Sequence, residues 1–485
     1  MSTTTPLEES LAREVNGVSF SQFIERTLQD YGVPGAVVVV ASDQGTEYLE
    51  GHGVRRRGDS APVDGNTRFQ IASMSKFVTA TAVGALVDKR AVSWDAPVRT
   101  FSPETVLADA YATENVILRD FFAHRTGLPK YGDLLPRLVE YGPEELLHRA
   151  RYLPFATSFR FGYEYTNYGI FLGQCSAARA AGMSPPQLLS QTILEPLGMT
   201  RSAPVQAELF KDNNHAAAHN LDGSVMPHEN VDSFSGAGAI VSTGRDLARW
   251  MMMLLAEGSF GGAPILHEDT VRDIFSASMV GGPSSLLGER STVGLGCESY
   301  PFLRWRVVEK NGALNGMRSV VTLIPELRVG IAILANKQMT VFPEAVRAEF
   351  LERVLAPSGR DLQKQIHEEQ KGWESLVVIP TPPADAQPLT RELNAFTGPY
   401  VSPLYGALEI TRDGAGFAVK IGEHDYPAML AHWSGDTFLL RFDDPDIAPG
   451  LLKFHFEKEA SRASSFDGAE VPPFNTVNYG HFDRT

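Results

Sequence analysis

Three short groups of residues carry side chains that can attack a carbonyl or move a proton. The first is Ile71-Ala72-Ser73-Met74-Ser75-Lys76-Phe77. Ser73 and Lys76 stand three apart at the start of a helical pattern, so their side chains share a face. A helix N-terminus favours a developing alkoxide on Ser73 and disfavours a charged ammonium on Lys76. Burial acts on the lysine in the same direction, and a neutral lysine can take the serine proton. The second group is Tyr165-Thr166-Asn167. A tyrosine beside lysines can work as phenolate or proton relay, and Asn167 can orient a substrate amide. The third is Lys310-Asn311-Gly312-Ala313, on a strand pattern. Lys310 adds positive potential, and Gly312 permits close approach of another backbone. The Ala313 N–H, with that of Ser73, can serve a developing oxyanion. Each group alone has a plain structural alternative: a capping serine with a surface lysine, a polar loop, an edge-strand lysine. Their meaning lies in the combination.

Those groups need elements to hold them. Residues 72–90 contain no proline and are apolar on most sides, which predicts a buried helix. Residues 35–40 form a β-branched run that ends in Ser42-Asp43-Gln44-Gly45, and 46–53 reads as the returning strand of a hairpin. Phe20, Phe23, Ile24 and Leu28 make one helical stripe ahead of it. Residues 95–290 read as mostly helical with many Gly and Pro breaks. Two more β-branched runs, 319–324 and 329–334, flank Pro325-Glu326-Leu327-Arg328, and an amphipathic helix follows over 342–355. Strands, a helical insertion, then strands again predict an α+β domain whose sheet is completed by both ends of the sequence. It is expected over residues 1–357. A polar, proline-containing stretch at 358–391 reads as a linker. Residues 392–485 alternate short strands with turns such as Asp413-Gly414 and Gly435-Asp436, which predicts a small β-barrel or sandwich.

The 485 residues leave room for two to four domains. The net charge of -15 repels phosphate backbones and anionic lipid, so nucleic acid and membrane surfaces are poor partners. Two cysteines, Cys175 and Cys297, are too few for a disulfide framework and read as small buried residues. No apolar run approaches a membrane span. The first residues, MSTTTPLEES, carry no basic and apolar leader pattern, so a cytoplasmic location is expected. His215 and His219 are four apart, a metal-like spacing, but no third ligand is evident and no metal is expected. His124 reads as structural, and His424, His432 and His455 as exposed. No glycine-rich phosphate loop follows a strand, so no cofactor is expected.

Taken together and in order, the three groups resemble the serine β-lactamase and penicillin-binding-protein superfamily, in particular its class C-like branch. Further stretches agree over roughly residues 19–355. Trp94-Asp95-Ala96-Pro97-Val98 is similar to the family's Leu-Asp-Asp-Pro-Val segment. Leu118 to Pro129, with His124, Gly127 and Leu128, is similar to its Leu-Leu-x-His-x-Ser-Gly-Leu stretch. Glu195-Pro196-Leu197-Gly198-Met199 and Ser242-Thr243-x-x-Asp246-Leu247-Ala248 also match in order. Thr397-Gly398-x-Tyr400 and Tyr405-Gly406 resemble the small β-domain some of these hydrolases carry. The resemblance implies a β-lactamase/transpeptidase-like domain, an antiparallel sheet flanked by helices with a helical subdomain, then a barrel-like domain. It implies an acyl-enzyme on Ser73, with Lys76 and Tyr165 sharing the proton transfers. Asn167, Lys310, Asn311, Gly312 and Ala313 would line the substrate site. The substrate would be a small molecule or short peptide, with an amide or ester bond and a D-residue favoured. Two rivals stand beside hydrolysis: transfer of the acyl group to an amine or alcohol, and a non-catalytic binding module. Lys-Asn-Gly departs from the Lys-Thr-Gly of class C enzymes, since Asn311 replaces a hydroxyl that helps hold a substrate carboxylate. This leaves β-lactams open as substrates, and the oligomeric state open as well, a homo-oligomer included.

Overall fold

The valine run after Gly35 forms β1 (Gly35–Ser42), and the chain returns through the Ser42–Gly45 turn as β2 (Thr46–Gly53) in the computed structural model. The structure describes residues 6–15, 17–130, 141–283, 290–375, 380–414, 416–421, 428–442, 447–471 and 478–485. Six later strands join the hairpin: β3 (Met279–Pro283), β4 (Arg290–Val293), β5 (Glu298–Phe302), β6 (Trp305–Leu314), β7 (Met317–Ile324) and β8 (Val329–Ala335). Among the described residues they form one antiparallel sheet in the order β2-β1-β8-β7-β6-β5-β4-β3. β1 pairs with β8 from Ala36↔Ala335 to Ser42↔Val329, so the two ends of the domain's sequence close its sheet, as expected. β3 lies inside the stretch read as helical. Its Met-Val-Gly-Gly-Pro sequence has little strand propensity, and pairing with β4 supplies what propensity does not.

β7 and β8 are buried along their whole length, which requires cover on both faces. Strand alternation shows what supplies it. Tyr48 and Leu49 are consecutive on β2 and point to opposite faces. Tyr48 meets Phe20 of α1 (Phe20–Asp30) edge-on, with centroids 5.5 Å apart. Leu49 packs against Gly244, the first residue of α4 (Gly244–Leu255). The same alternation on β6 separates Glu309 from Lys310. Glu309 accepts from Arg347 of α5 (Phe342–Val354), from Tyr300 (2.8 Å) and from Thr322 (3.0 Å), in a buried cluster under the sheet. Lys310 points to the other face, where the chemistry-bearing groups gather.

α2 (Ser75–Asp88) is the buried helix anticipated from its all-round apolar composition; Ser75 through Leu86 are all inaccessible. α3 (Asn167–Ala180) is likewise buried over most of its length. Beyond α5, the polar stretch expected to begin a linker forms α6 (Leu362–Ser375). Leu362 and Ile366, one turn apart, are buried. Gln370, a turn further, donates to Met339 O (2.9 Å) and accepts from Val341 N–H (2.9 Å).

The chain forms two compact units, Met1–Leu128 with Phe155–Gln370, and Pro129–Pro154 with Lys371–Thr485. The second contains a closed barrel of eight strands running from Gly398 to Arg484, with Tyr400 pairing Arg484 to close it. Its interior is aromatic: Phe396, Phe417, Phe438 and Phe454 pack edge-to-face around one another. To the same unit belongs an excursion from the middle of the sequence, including the helix Pro143–Arg149. Arg149 donates to Leu404 O (3.1 Å), and Tyr141 to Tyr405 O (3.3 Å). A boundary drawn from composition has no means of seeing that excursion, because its own sequence is unremarkable. His432 is exposed, His455 binds Asp467, and His424 lies outside the described residues.

Candidate active site

Ser73 sits in a single 3-10 turn, Ala72–Met74, immediately ahead of α2. Ala72 takes φ 52°, a backbone region that non-glycine residues rarely adopt. This kink places Ser73 at the mouth of a buried helix, half-exposed, while Lys76 one turn later is fully buried. Lys76 Nζ donates to Ser73 Oγ at 2.9 Å and to the carbonyl of Ala237 at 2.7 Å. The second bond fixes the ammonium from the far side, through the irregular helical turn Ser235–Ala239.

Tyr165 approaches from the segment before α3, and its hydroxyl donates to Ser73 Oγ at 2.8 Å. Lys76 Nζ lies 4.9 Å from the Tyr165 ring centroid and Lys310 Nζ 5.1 Å from it. Burial pushes the phenol's pKa up, but the two lysine charges and the bonds to Lys76 and Ser73 outweigh it. The phenol is held below its ordinary value, so a phenolate is within reach at lower pH than for a free tyrosine. For Lys310 burial pushes downward, while Glu298 and the phenols of Tyr165 and Tyr163 more than compensate; it stays charged. Lys310 donates to Glu298 Oε1 at 3.1 Å.

His124 backs the tyrosine, its ring 4.6 Å from that of Tyr165. Its Nδ1 accepts from the N–H of Thr166, the residue that caps α3. Burial, with the charges of Lys310 and Lys76, drives its pKa well below the usual value, so it is neutral. Behind it, buried Asp120 accepts from Arg125 (2.6 Å) and Arg160 (2.7 Å) and fixes the turn.

β6 runs along the other side of Ser73. A Cβ on Gly312 would lie 2.5 Å from Ile71 O and 2.4 Å from Ser319 Oγ. The glycine is needed because the turn that carries Ser73 lies against the strand. β5 pairs with β6 only from 298↔309 to 302↔305, so among the described residues 310–314 have no strand partner on that side. Asn311 and the exposed Ala313 flank Gly312 on this open edge, and Asn167 opens α3 two residues after Tyr165.

The structure thus brings Ser73, Lys76, Tyr165 and Lys310 together from three separate stretches of chain. The two spaced histidines do something else. His219 is on a two-residue strand; one nitrogen bonds Asn336 O (2.7 Å) and the other accepts from Arg57 N–H (3.0 Å). His215 bonds Asp212 O. Two participants had no side-chain signal in the sequence reading. Ala237 acts through its carbonyl, and Glu298 becomes visible only when β5 is folded back on β6.

Residues 20–356, well over half the chain, match the family model described as Beta-lactamase. The chain belongs to the beta-lactamase family. Residues 382–472 match a second model, described as a domain of unknown function (DUF3471). Unguisins hydrolase ungD' of Aspergillus campestris is 25% identical, over 81% of this chain and 77% of its own. Among solved structures, the octameric penicillin-binding protein homologue from Pyrococcus abyssi superposes with a TM-score of 0.62 at 20% identity, over 96% of this chain and 98% of that one. A class C beta-lactamase gives a TM-score of 0.60 at 20% identity, over 72% and 97%. Among the described residues no helix is long and apolar enough to cross a membrane.

Proposed function

We propose that this member of the beta-lactamase family is a serine hydrolase that opens an amide or ester of a small substrate through an acyl-enzyme on Ser73. The observation that carries the reading is the convergence of Lys76 Nζ (2.9 Å) and Tyr165 OH (2.8 Å) on Ser73 Oγ. An attacking serine must lose a proton as its bond to carbon forms, and a departing amine or alcohol must gain one. Two groups held on one oxygen can do both: the Tyr165–Lys76 pair takes the serine proton and returns it to the leaving group. Water then attacks the ester of Ser73, with the same pair as base. The N–H groups of Ser73 and Ala313 serve the oxyanion, and the unpartnered edge 310–314 lies alongside the substrate backbone. Asn167 orients the substrate amide. A short peptide with a D-residue is the favoured acyl donor, in keeping with the class C-like resemblance. The curated relative named as an unguisins hydrolase supports hydrolysis over a purely binding role.

The test is intact-mass labelling with a fluorophosphonate, followed by turnover of D- and L-aminoacyl amides, short esters and β-lactams, with and without added amines. A single adduct on Ser73 and release of free acid support the reading. Acyl-amine products move it to acyl transfer, and no adduct with no turnover removes it. Light scattering on the same samples reads whether the chain assembles with copies of itself, as the octameric neighbour does.

A further inference from the structure

Lys310 is the cation a substrate carboxylate would seek at the edge of β6, and two features of the structure close that route. Its ammonium is already matched by Glu298 at 3.1 Å, and its side chain is only 3% exposed while that of Glu298 is 35% exposed. What an incoming anion meets at this end of the open edge is therefore the carboxylate of Glu298. At the other end, Glu229 Oε2 accepts from the Asn315 N–H at 3.1 Å, so a second carboxylate borders residues 310–314. Asn311, between them, offers a neutral amide.

From this bracketing, and resting on the hydrolase reading above, we propose that the site selects acyl donors that carry no carboxylate beside the scissile bond. Internal, cyclic or end-capped peptides and neutral esters fit. Penicillin-like acids and free C-terminal dipeptides do not. Lys310 then acts on Tyr165 through space, and Glu298 is the residue that withholds it from substrate anions. A like charge facing the ligand is a strong device for rejecting a wrong partner, more than a neutral contact is for binding a right one.

The experiment uses the full chain and a matched pair of boronic acids, 3-carbamoylphenyl and 3-carboxyphenyl, each competing with fluorophosphonate labelling of Ser73. The two probes differ by one charge, so any general effect on the nucleophile cancels in their ratio. The carbamoyl compound is expected to protect Ser73 at lower concentration. Glu298→Gln is expected to tighten the carboxylate roughly 10-fold relative to its partner, because a facing anion is removed and the lysine is released. Glu229→Gln shifts the ratio the same way by a smaller factor. The wild-type protein gives an independent reading should either variant fail to fold: added salt relieves a repulsion but weakens a docking pair. The carboxylate should hold or gain affinity relative to the amide as salt rises. A carboxylate that binds more tightly than the amide in wild type and weakens with salt overturns the proposal, as does an unchanged ratio in both folded variants. No labelling of Ser73 at all removes the hydrolase reading and this inference with it. Labelling with the wrong ratio removes this inference alone.

Discussion

Gly312 and Ile71 touch across the site: a methyl group on Gly312 would sit 2.5 Å from the Ile71 carbonyl oxygen. The oxygen belongs to backbone two residues before Ser73, in a turn already held at φ 52° by Ala72. It cannot yield as a flexible side chain would. Gly312→Ala should therefore push the Ser73 turn away from β6. A displacement near 1 Å at a reacting atom costs on the order of 100-fold in kcat. The rate of fluorophosphonate labelling should fall with it. If labelling is unchanged while the melting temperature is lowered, the contact is structural only.

Ser73 and Ser75 are separable by their partners. Ser73 Oγ receives Lys76 and Tyr165. Ser75 is buried and its Oγ accepts from the Ile240 N–H at 3.3 Å. Ser73→Ala should remove turnover by on the order of 1000-fold or more while leaving stability near wild type. Ser75→Ala should do the reverse, costing about 1 kcal/mol for a buried N–H left unpaired. Paired melting curves and single-turnover rates on the two variants decide the assignment; a stable, inactive Ser75→Ala beside an active Ser73→Ala would contradict it.

The phenol of Tyr165 sets a pH dependence with a definite sign. Burial raises its pKa, and the charges of Lys76 and Lys310 bring it below the ordinary tyrosine value. If the phenolate is the working base, kcat/KM rises with pH through that pKa. Lys310→Met removes one of the two stabilising cations, which favours the neutral phenol. The acid limb should move to higher pH. Because Glu298 already matches Lys310, the loss should appear in full with a neutral ester, which has no carboxylate for Lys310 to bind. A limb that stays in place shows that Lys310 does not act through Tyr165.

Much of this site is visible in the sequence, for a physical reason. Ser73 and Lys76 are one helical turn apart, so their meeting is local and spacing alone encodes it. Tyr165 and Lys310 come from distant chain, and only the resemblance to a known family joins them to Ser73. The sheet was legible where β-branched runs are dense, in β1, β7 and β8, and illegible in β3, where glycines and proline are carried by pairing. Glu298 carries no signal of its own, because its pairing with Lys310 exists only once β5 has folded back beside β6. Ala237 was missed because it works through a carbonyl that every residue possesses. α6 reads as linker because its stripe of Leu362, Ile366 and Gln370 is narrow and most of the helix is polar, which suits a helix lying on a surface.

α6 also changes where the chain can be cut. A cut at the composition boundary, after Ser358, removes the helix and uncovers what it protects. Leu362 and Ile366 each bury an aliphatic side chain worth roughly 1.5–3 kcal/mol. Gln370 also answers the Val341 N–H and the Met339 carbonyl, where α5 begins. The Val341 N–H is buried, so its loss of a partner adds to the cost. A chain ending after Ser375 keeps all of this. It should melt well above a chain ending after Ser358, and it should still be labelled at Ser73, since Ser73, Lys76, Tyr165 and Lys310 all lie within the first unit. The longer truncation leaves Pro129–Pro154 without the barrel turn whose Leu404 and Tyr405 carbonyls Arg149 and Tyr141 bind, so protease cleavage should concentrate in that excursion. Equal melting temperatures for the two chains would show that α6 contributes nothing to the first unit. A folded chain ending after Ser375 that cannot be labelled would show that the second unit supplies part of the site.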